Sequence, residues 1–146
     1  MGRKRDRYKT GANAASEGKF ITLHHWMLDC PAFRALSGNA VKLLTRLTRR
    51  YKGFNNGEIS MSVREAMAEL SCAKNTAVRC FRELEEMGFI RTTQKGAFSW
   101  KQRHATTWRL TWIRTPNPLY VAGEPATKEF MRWTQAEVKK SRSQNA

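Results

Sequence analysis

Lys74, Asn75, Thr76 and Arg79 lie close together in the chain and include the two side-chain types best suited to reading a base-pair edge. Arginine can donate two parallel hydrogen bonds to O6 and N7 of guanine, and asparagine can bond N6 and N7 of adenine. Asn75 and Arg79 are four residues apart, so on an α-helix they stand on one face. At ~100° per residue, Thr76, Arg82 and Glu83 join that polar side, and Ala77, Val78, Phe81 and Leu84 gather opposite. The division predicts an amphipathic helix over residues 74–87. A polar stripe by itself describes any solvated helix, so its neighbours decide what it is for.

Immediately upstream, Ser62 and Glu65 have the S-x-x-E spacing of a capping box, in which each side chain satisfies an amide at a helix start. A helix over residues 63–70 follows, with Val63, Ala66, Met67 and Leu70 toward a core and Arg64, Glu65 and Glu69 toward solvent. Ser71, Cys72 and Ala73 make a tight turn, and Gly88 supplies the left-handed residue that ends the second helix. The chain carries 27 Lys plus Arg against 12 Asp plus Glu, a net charge of +15 that implies a polyanionic partner. Two helices joined by a turn, on so basic a chain, point to the major groove of duplex DNA, which admits an α-helix.

The elements that must hold this pair are legible on both sides. Trp26, Met27, Leu28, Phe33 and Leu36 can seed a core around a helical turn near Pro31. Ser37 then caps a helix over residues 38–51, with Ala40, Leu43, Leu44, Leu47 and Tyr51 on one stripe and Lys42, Arg46, Arg49 and Arg50 off it. Gly53 and the Asn-Asn-Gly at residues 55–57 turn the chain into a brief strand at 58–60. After Gly88 the period changes to two: strands over 89–94 and 106–113 form a hairpin, with Trp108, Leu110 and Trp112 on one face and Thr107, Arg109 and Thr111 on the other. The intervening loop holds Lys95, Lys101, Arg103 and His104 with Phe98 and Trp100 interleaved. Such a loop can grip phosphates, reach the minor groove or stack on single-stranded bases, and its aromatics can equally pack at the hairpin base.

At 146 residues the chain accommodates one compact domain with tails. Residues 1–19 form a basic arm, with Arg3, Lys4, Arg5 and Arg7 able to lie along phosphates or enter a minor groove, or simply to solubilise the terminus. Residues 20–114 are the domain, and 115–126, with Pro116, Pro118, Gly123 and Pro125, read as a linker. Residues 127–146 form a C-terminal helix and tail, whose Phe130, Met131 and Trp133 either dock on the domain or meet a second copy in a homodimer. Cys30, Cys72, Cys80, His24, His25 and His104 match no zinc spacing, so no metal or cofactor is expected. Glu85 and Glu86 sit on a charged helix without a nucleophile or histidine at catalytic spacing, which argues against an enzyme. No apolar run approaches the ~20 residues of a membrane span, so a soluble cytoplasmic protein is expected.

The segment ELSCAKNTAVRCFRELEEMGFI resembles the recognition region of winged-helix bacterial regulators. With LDCPAFRALSGNAVKLL, YKGFNNGEISMS and RHATTWRLTW, about two thirds of the chain is similar to small helix-turn-helix proteins of bacteria, phages and plasmids, and to N-terminal winged-helix domains of phage and plasmid replication proteins. The resemblance implies an α+β winged helix-turn-helix with a mainly helical core, a two-to-three-stranded wing and a C-terminal helical extension. By position it makes Lys74, Asn75, Thr76 and Arg79 the base readers and Ser62, Arg64, Lys101 and Arg103 backbone contacts, to which the residue reading adds Arg82 and Lys95. Ala73 departs from the pattern, because a Ser or Thr commonly caps the recognition helix there. The expected function is sequence-specific binding of double-stranded DNA by a transcriptional regulator. The alternatives are a replication or partition factor of a mobile element, and an RNA or single-strand binder.

Overall fold

The computed structural model describes residues 19–98, 103–117 and 119–134. The architecture is α+β: α1 (His25–Leu28), α2 (Pro31–Ala35), α3 (Gly38–Arg50), β1 (Ile59–Ser60), α4 (Val63–Leu70), α5 (Lys74–Glu86), β2 (Ile90–Gln94), β3 (Ala97–Phe98), β4 (Arg103–His104), β5 (Thr107–Leu110), β6 (Thr115–Asn117), β7 (Tyr120–Glu124) and a 3-10 turn at Glu129–Arg132. Among the described residues no helix is long and apolar enough to cross a membrane.

Local chemistry sets the helix starts. Cys30 caps α2, its Sγ accepting from the Phe33 amide at 3.4 Å. Ser37 Oγ accepts from the Ala40 amide at 3.3 Å to start α3. At α4 the expected capping box is complete: Ser62 Oγ accepts from Glu65 N at 3.2 Å, and Glu65 Oε2 accepts from Ser62 N at 2.7 Å. The α4–α5 turn passes through Ser71 in the left-handed region, and α5 ends at Gly88, φ +82°.

The apolar stripes of α3, α4 and α5 meet in one core. Ala40, Leu43, Leu44, Leu47, Ala66, Ala77 and Leu84 are fully buried there. A three-stranded antiparallel sheet in the order β1-β5-β2 closes it, with Ile59 opposite Trp108 and Ile90 opposite Leu110. Trp108 stacks on Phe81 of α5 at 4.6 Å, and its indole Nε1 donates to Met61 O at 3.1 Å. Beyond a bulge after Thr92, the β2–β5 hairpin is prolonged outward by β3 and β4.

Three expectations are corrected. The strand alternation stops at Leu110, and Thr111 turns inward instead of outward: it is 2% exposed, with Oγ1 donating to Gly88 O at 2.7 Å. Within residues 115–126, expected as a linker, Thr115–Asn117 and Tyr120–Glu124 pair as the antiparallel strands β6 and β7. Pro116 lies in this two-stranded unit, where a missing amide is tolerated, and Gly123 supplies φ +68°. The C-terminal helix expected within residues 127–146 is, in its described part, only the 3-10 turn, and residues 135–146 lie outside the described residues.

That turn is docked in cis. Phe130 is fully buried, stacked on Phe89 at 4.5 Å and edge-on to Trp112 at 6.4 Å. Its backbone lies so close to Gly88 that a Cβ there would meet Phe130 N at 2.8 Å. Trp133 is 9% exposed, leaving Met131 as the exposed member of the trio expected to pair with a second copy. Within one chain Phe130 and Trp133 are thus already packed, and Met131 alone of the three presents its side chain outward.

Charge explains the docking. Arg91 and Arg109 are directly opposite on adjacent strands, an arrangement that repels unless neutralised. Glu129 receives the Arg91 Nε hydrogen bond at 2.6 Å and lies 3.8 Å from Arg109, and Glu124 of β7 lies 3.4 Å from Arg109. Burial alone would raise the Glu129 pKa. The Arg91 hydrogen bond and charge, the Thr127 hydroxyl and Arg109 outweigh it and hold the carboxyl below its ordinary value.

Candidate nucleic-acid interface

α5 is anchored along one side and open along the other. Ala77, Cys80, Phe81 and Leu84 are buried, whereas Lys74, Asn75, Arg79 and Arg82 are exposed and Thr76 is half-buried. Among the described residues, none of these three cations pairs with a carboxylate, and neither Asn75 nor Arg79 is held by another side chain. Their hydrogen-bonding groups therefore face outward uncommitted. Burial, then the nearby Glu83 and Cys72, push the Cys80 thiol up, so it packs as a neutral group beside the core.

Glu83 leaves the stripe to which the helical wheel assigned it. Its two carboxylate oxygens accept from Ser37 N at 2.6 Å and Ser37 Oγ at 2.7 Å, tying α5 to the start of α3. Two residues on, Glu85 Oε1 accepts from Thr92 N at 3.2 Å and from Thr92 Oγ1 at 2.8 Å, and Arg91 Nη1 donates to Glu85 O at 2.7 Å. The C-terminal half of α5 is thus fixed to both the helical layer and β2. Only its N-terminal half, with Asn75 and Arg79, projects freely.

The start of α5 is chemically open. Ala73 has the extended backbone of a cap, φ −69° and ψ 157°, yet offers no side-chain acceptor. The first amides of α5 are left facing outward with the positive end of the helix dipole, an arrangement that favours an anion. Arg64 borders, with Ser71, Cys72 and Ala73, a shallow depression at this end. Arg64, Lys74 and the free amides form one electropositive corner beside the exposed stripe of Asn75 and Arg79.

The remaining expected contacts divide. Ser62 is taken up by the capping box, its hydroxyl donating to Glu65 Oε2 at 2.9 Å, so it positions α4 and has no proton left for a phosphate. Glu65 and Glu69, expected in solvent, instead hold α3: Arg50 lies 3.1 Å from Glu65 and 3.5 Å from Glu69, and Arg46 lies 3.4 Å from Glu69. Burial would raise the Glu65 pKa, but the Ser62 amide and hydroxyl and the Arg50 guanidinium hold it low. Lys95 is exposed at the end of the β2 hairpin, and His104 Nε2 lies 2.9 Å from its carbonyl oxygen. Arg103 belongs to β4, at the outer end of the hairpin. Lys101 and Trp100, and the arm residues Arg3, Lys4, Arg5 and Arg7, lie outside the described residues.

One supporting residue escaped the sequence reading. Asn56, expected only as part of a turn, is 2% exposed. Its Oδ1 accepts from Leu110 N at 2.7 Å, and its Nδ2 donates to Leu110 O and Ile113 O, each at 2.9 Å. It ends β5 as a strand would be ended by a partner backbone, and fixes where the chain leaves the sheet.

No family model matches the sequence, and no curated protein matches it. Two solved structures superpose on it. One is described as "N-Terminal domain of DNA binding protein", with 15% identity, a TM-score of 0.44, and coverage of 97% of this chain and 96% of that one. The other is described as "Structure of Rep-DNA complex", with 15% identity, a TM-score of 0.44, and coverage of 97% and 98%. Superpositions this loose transfer neither a ligand nor a role to this chain.

Proposed function

We propose that the chain is a winged-helix protein that binds double-stranded DNA sequence-specifically, with α5 as the major-groove helix. The observation that carries this is the free N-terminal half of α5: Asn75 and Arg79 exposed on one face, beside Arg64, Lys74 and uncapped helix amides. Asn75 and Arg79 read bases, assisted by Lys74 and Thr76. Arg64 and Arg82, with Lys95, Lys101 and Arg103 of the β2–β5 hairpin, hold phosphates and set register without carrying sequence information. The N-terminal arm adds affinity through Arg3, Lys4, Arg5 and Arg7. The element order helix, strand, helix, turn, helix and hairpin supports the winged-helix reading, with that hairpin as the wing.

With Phe130 and Trp133 buried in cis, a single copy reads one short site. Selection from a random duplex library tests both points: enrichment of one short motif is expected, and failure to enrich any motif overturns specific reading. The same interface serves a transcriptional regulator or a replication factor. Selected sites that map to promoters favour the first, and iterated sites at an origin favour the second.

A further inference from the structure

Away from α5, an open groove of about 1630 Å³ runs between the segment leading into α1, the outer side of α3 and the chain after β5. Its walls carry Lys19, Lys42, Arg49, Lys52 and Arg114, in addition to Arg46 and Arg50, and one carboxylate, Glu69, which those last two arginines neutralise. Lys19, Arg49, Lys52 and Arg114 are exposed and pair with no described carboxylate. On α3, Lys42, Thr45, Arg46 and Arg49 recur at helical spacing, and at ~100° per residue they lie roughly opposite Ala40, Leu43, Leu44 and Leu47. Those buried residues face α5, so the groove and the reading stripe occupy opposite sides of the domain. At one end the groove is edged by aromatic rings: Phe20, 81% exposed, and His24, stacked on Trp26 at 5.4 Å.

We propose that this groove binds a single strand of nucleic acid, with its backbone on Arg49, Lys52 and Arg114 and a base on Phe20. Charge selects the class of occupant. A second copy of this chain, at +15, is repelled, and the chain's own end segments, residues 1–18 and 135–146, are themselves net basic. Shape and the aromatic edge select within the class: a concave basic channel with an exposed ring tracks one backbone and stacks its bases, whereas a duplex hides its bases and presents a convex surface. A protein with this groove holds duplex on α5 and a displaced strand behind α3.

The probe is a labelled oligothymidylate of about 16 nucleotides, the upper end of the site sizes of single-strand grooves, titrated into the full chain across a salt series. Each phosphate contact to a single strand contributes about 0.7 to the slope of log affinity against log salt. The double variant Arg49→Ala, Lys52→Ala is therefore expected to lower that slope by about 1.4 and to weaken oligothymidylate roughly tenfold, leaving duplex affinity unchanged. Phe20→Ala is expected to weaken it about fivefold or more, with no effect on inorganic polyphosphate, which has no bases to stack. Arg79→Ala is expected to spare the single strand, which separates failure here from failure of the duplex reading. The proposal is overturned by an unchanged oligothymidylate affinity in the double variant, by one-for-one displacement of the strand by duplex, or by polyglutamate competing as well as oligothymidylate. All three side chains are exposed, and an unchanged thermal melt checks that the variants fold.

Discussion

Ala73→Ser tests whether the open start of α5 is a phosphate seat. The backbone at Ala73, φ −69° and ψ 157°, nearly coincides with that at the two serine caps: φ −67° and ψ 152° at Ser37, φ −82° and ψ 162° at Ser62. Both serines accept from the amide three residues on, at 3.3 and 3.2 Å. A serine at position 73 should therefore accept from Thr76 N without rearrangement. Such a cap stabilises by about 1 kcal/mol, which raises Tm by about 4 °C in a domain of this size. If a DNA phosphate takes the same amides in the complex, the new hydroxyl competes with it, and the gain is given back on binding as about a fivefold loss of affinity. Thermal unfolding and fluorescence anisotropy on the selected duplex measure the two numbers. A raised Tm with unchanged affinity refutes the phosphate seat, and an unchanged Tm refutes the capping geometry itself.

Gly88→Ala should cost several-fold more stability than Gly53→Ala in denaturant melts: both have positive φ, but only at Gly88 does a Cβ meet backbone, 2.8 Å from Phe130 N. The strain common to both is about 1 kcal/mol, and similar losses at the two sites would show that the 3-10 turn does not pack on Gly88 in solution. Glu65 and Glu129 both have folded pKa values below their ordinary ones, so they stabilise the fold above the unfolded carboxylate value of 4.5, and that stability is lost as pH falls through the lower folded values. Tm should decline below about pH 5, and Glu129→Gln should lower the neutral Tm by the equivalent of about 1 kcal/mol or less while making the acid decline shallower. A Glu129→Gln melt that matches wild type at every pH contradicts the Arg91–Glu129–Arg109 bridge.

Features written in neighbouring residues were legible in the sequence. The Ser62–Glu65 box and Gly88 bound α4 and α5 to within a residue, because capping is satisfied within one turn. The exposure of Asn75 and Arg79 followed from helical spacing alone. What was missed depends on partners far along the chain. Nothing near Glu83 marks it as the cap of Ser37, 46 residues away, and nothing near Asn56 marks it as the clasp of Leu110, 54 residues away. The β6–β7 hairpin was hidden because prolines and glycine signal a break in structure, whereas here Arg109 and Glu124 tie the strands to the sheet. Phe130 carried a visible need for burial, but the site that meets it is assembled from Phe89, Gly88 and Trp112.

Affinity of wild type and Arg79→Ala for the selected duplex and for a random duplex, measured across a salt series, tests base reading by α5 most directly. The account predicts that wild-type affinity falls steeply with salt on both duplexes, and that Arg79→Ala loses about 1–3 kcal/mol on the selected duplex with little change on the random one. Equal losses on both duplexes would contradict it, making Arg79 a phosphate contact and leaving the exposed face of α5 without a reading role.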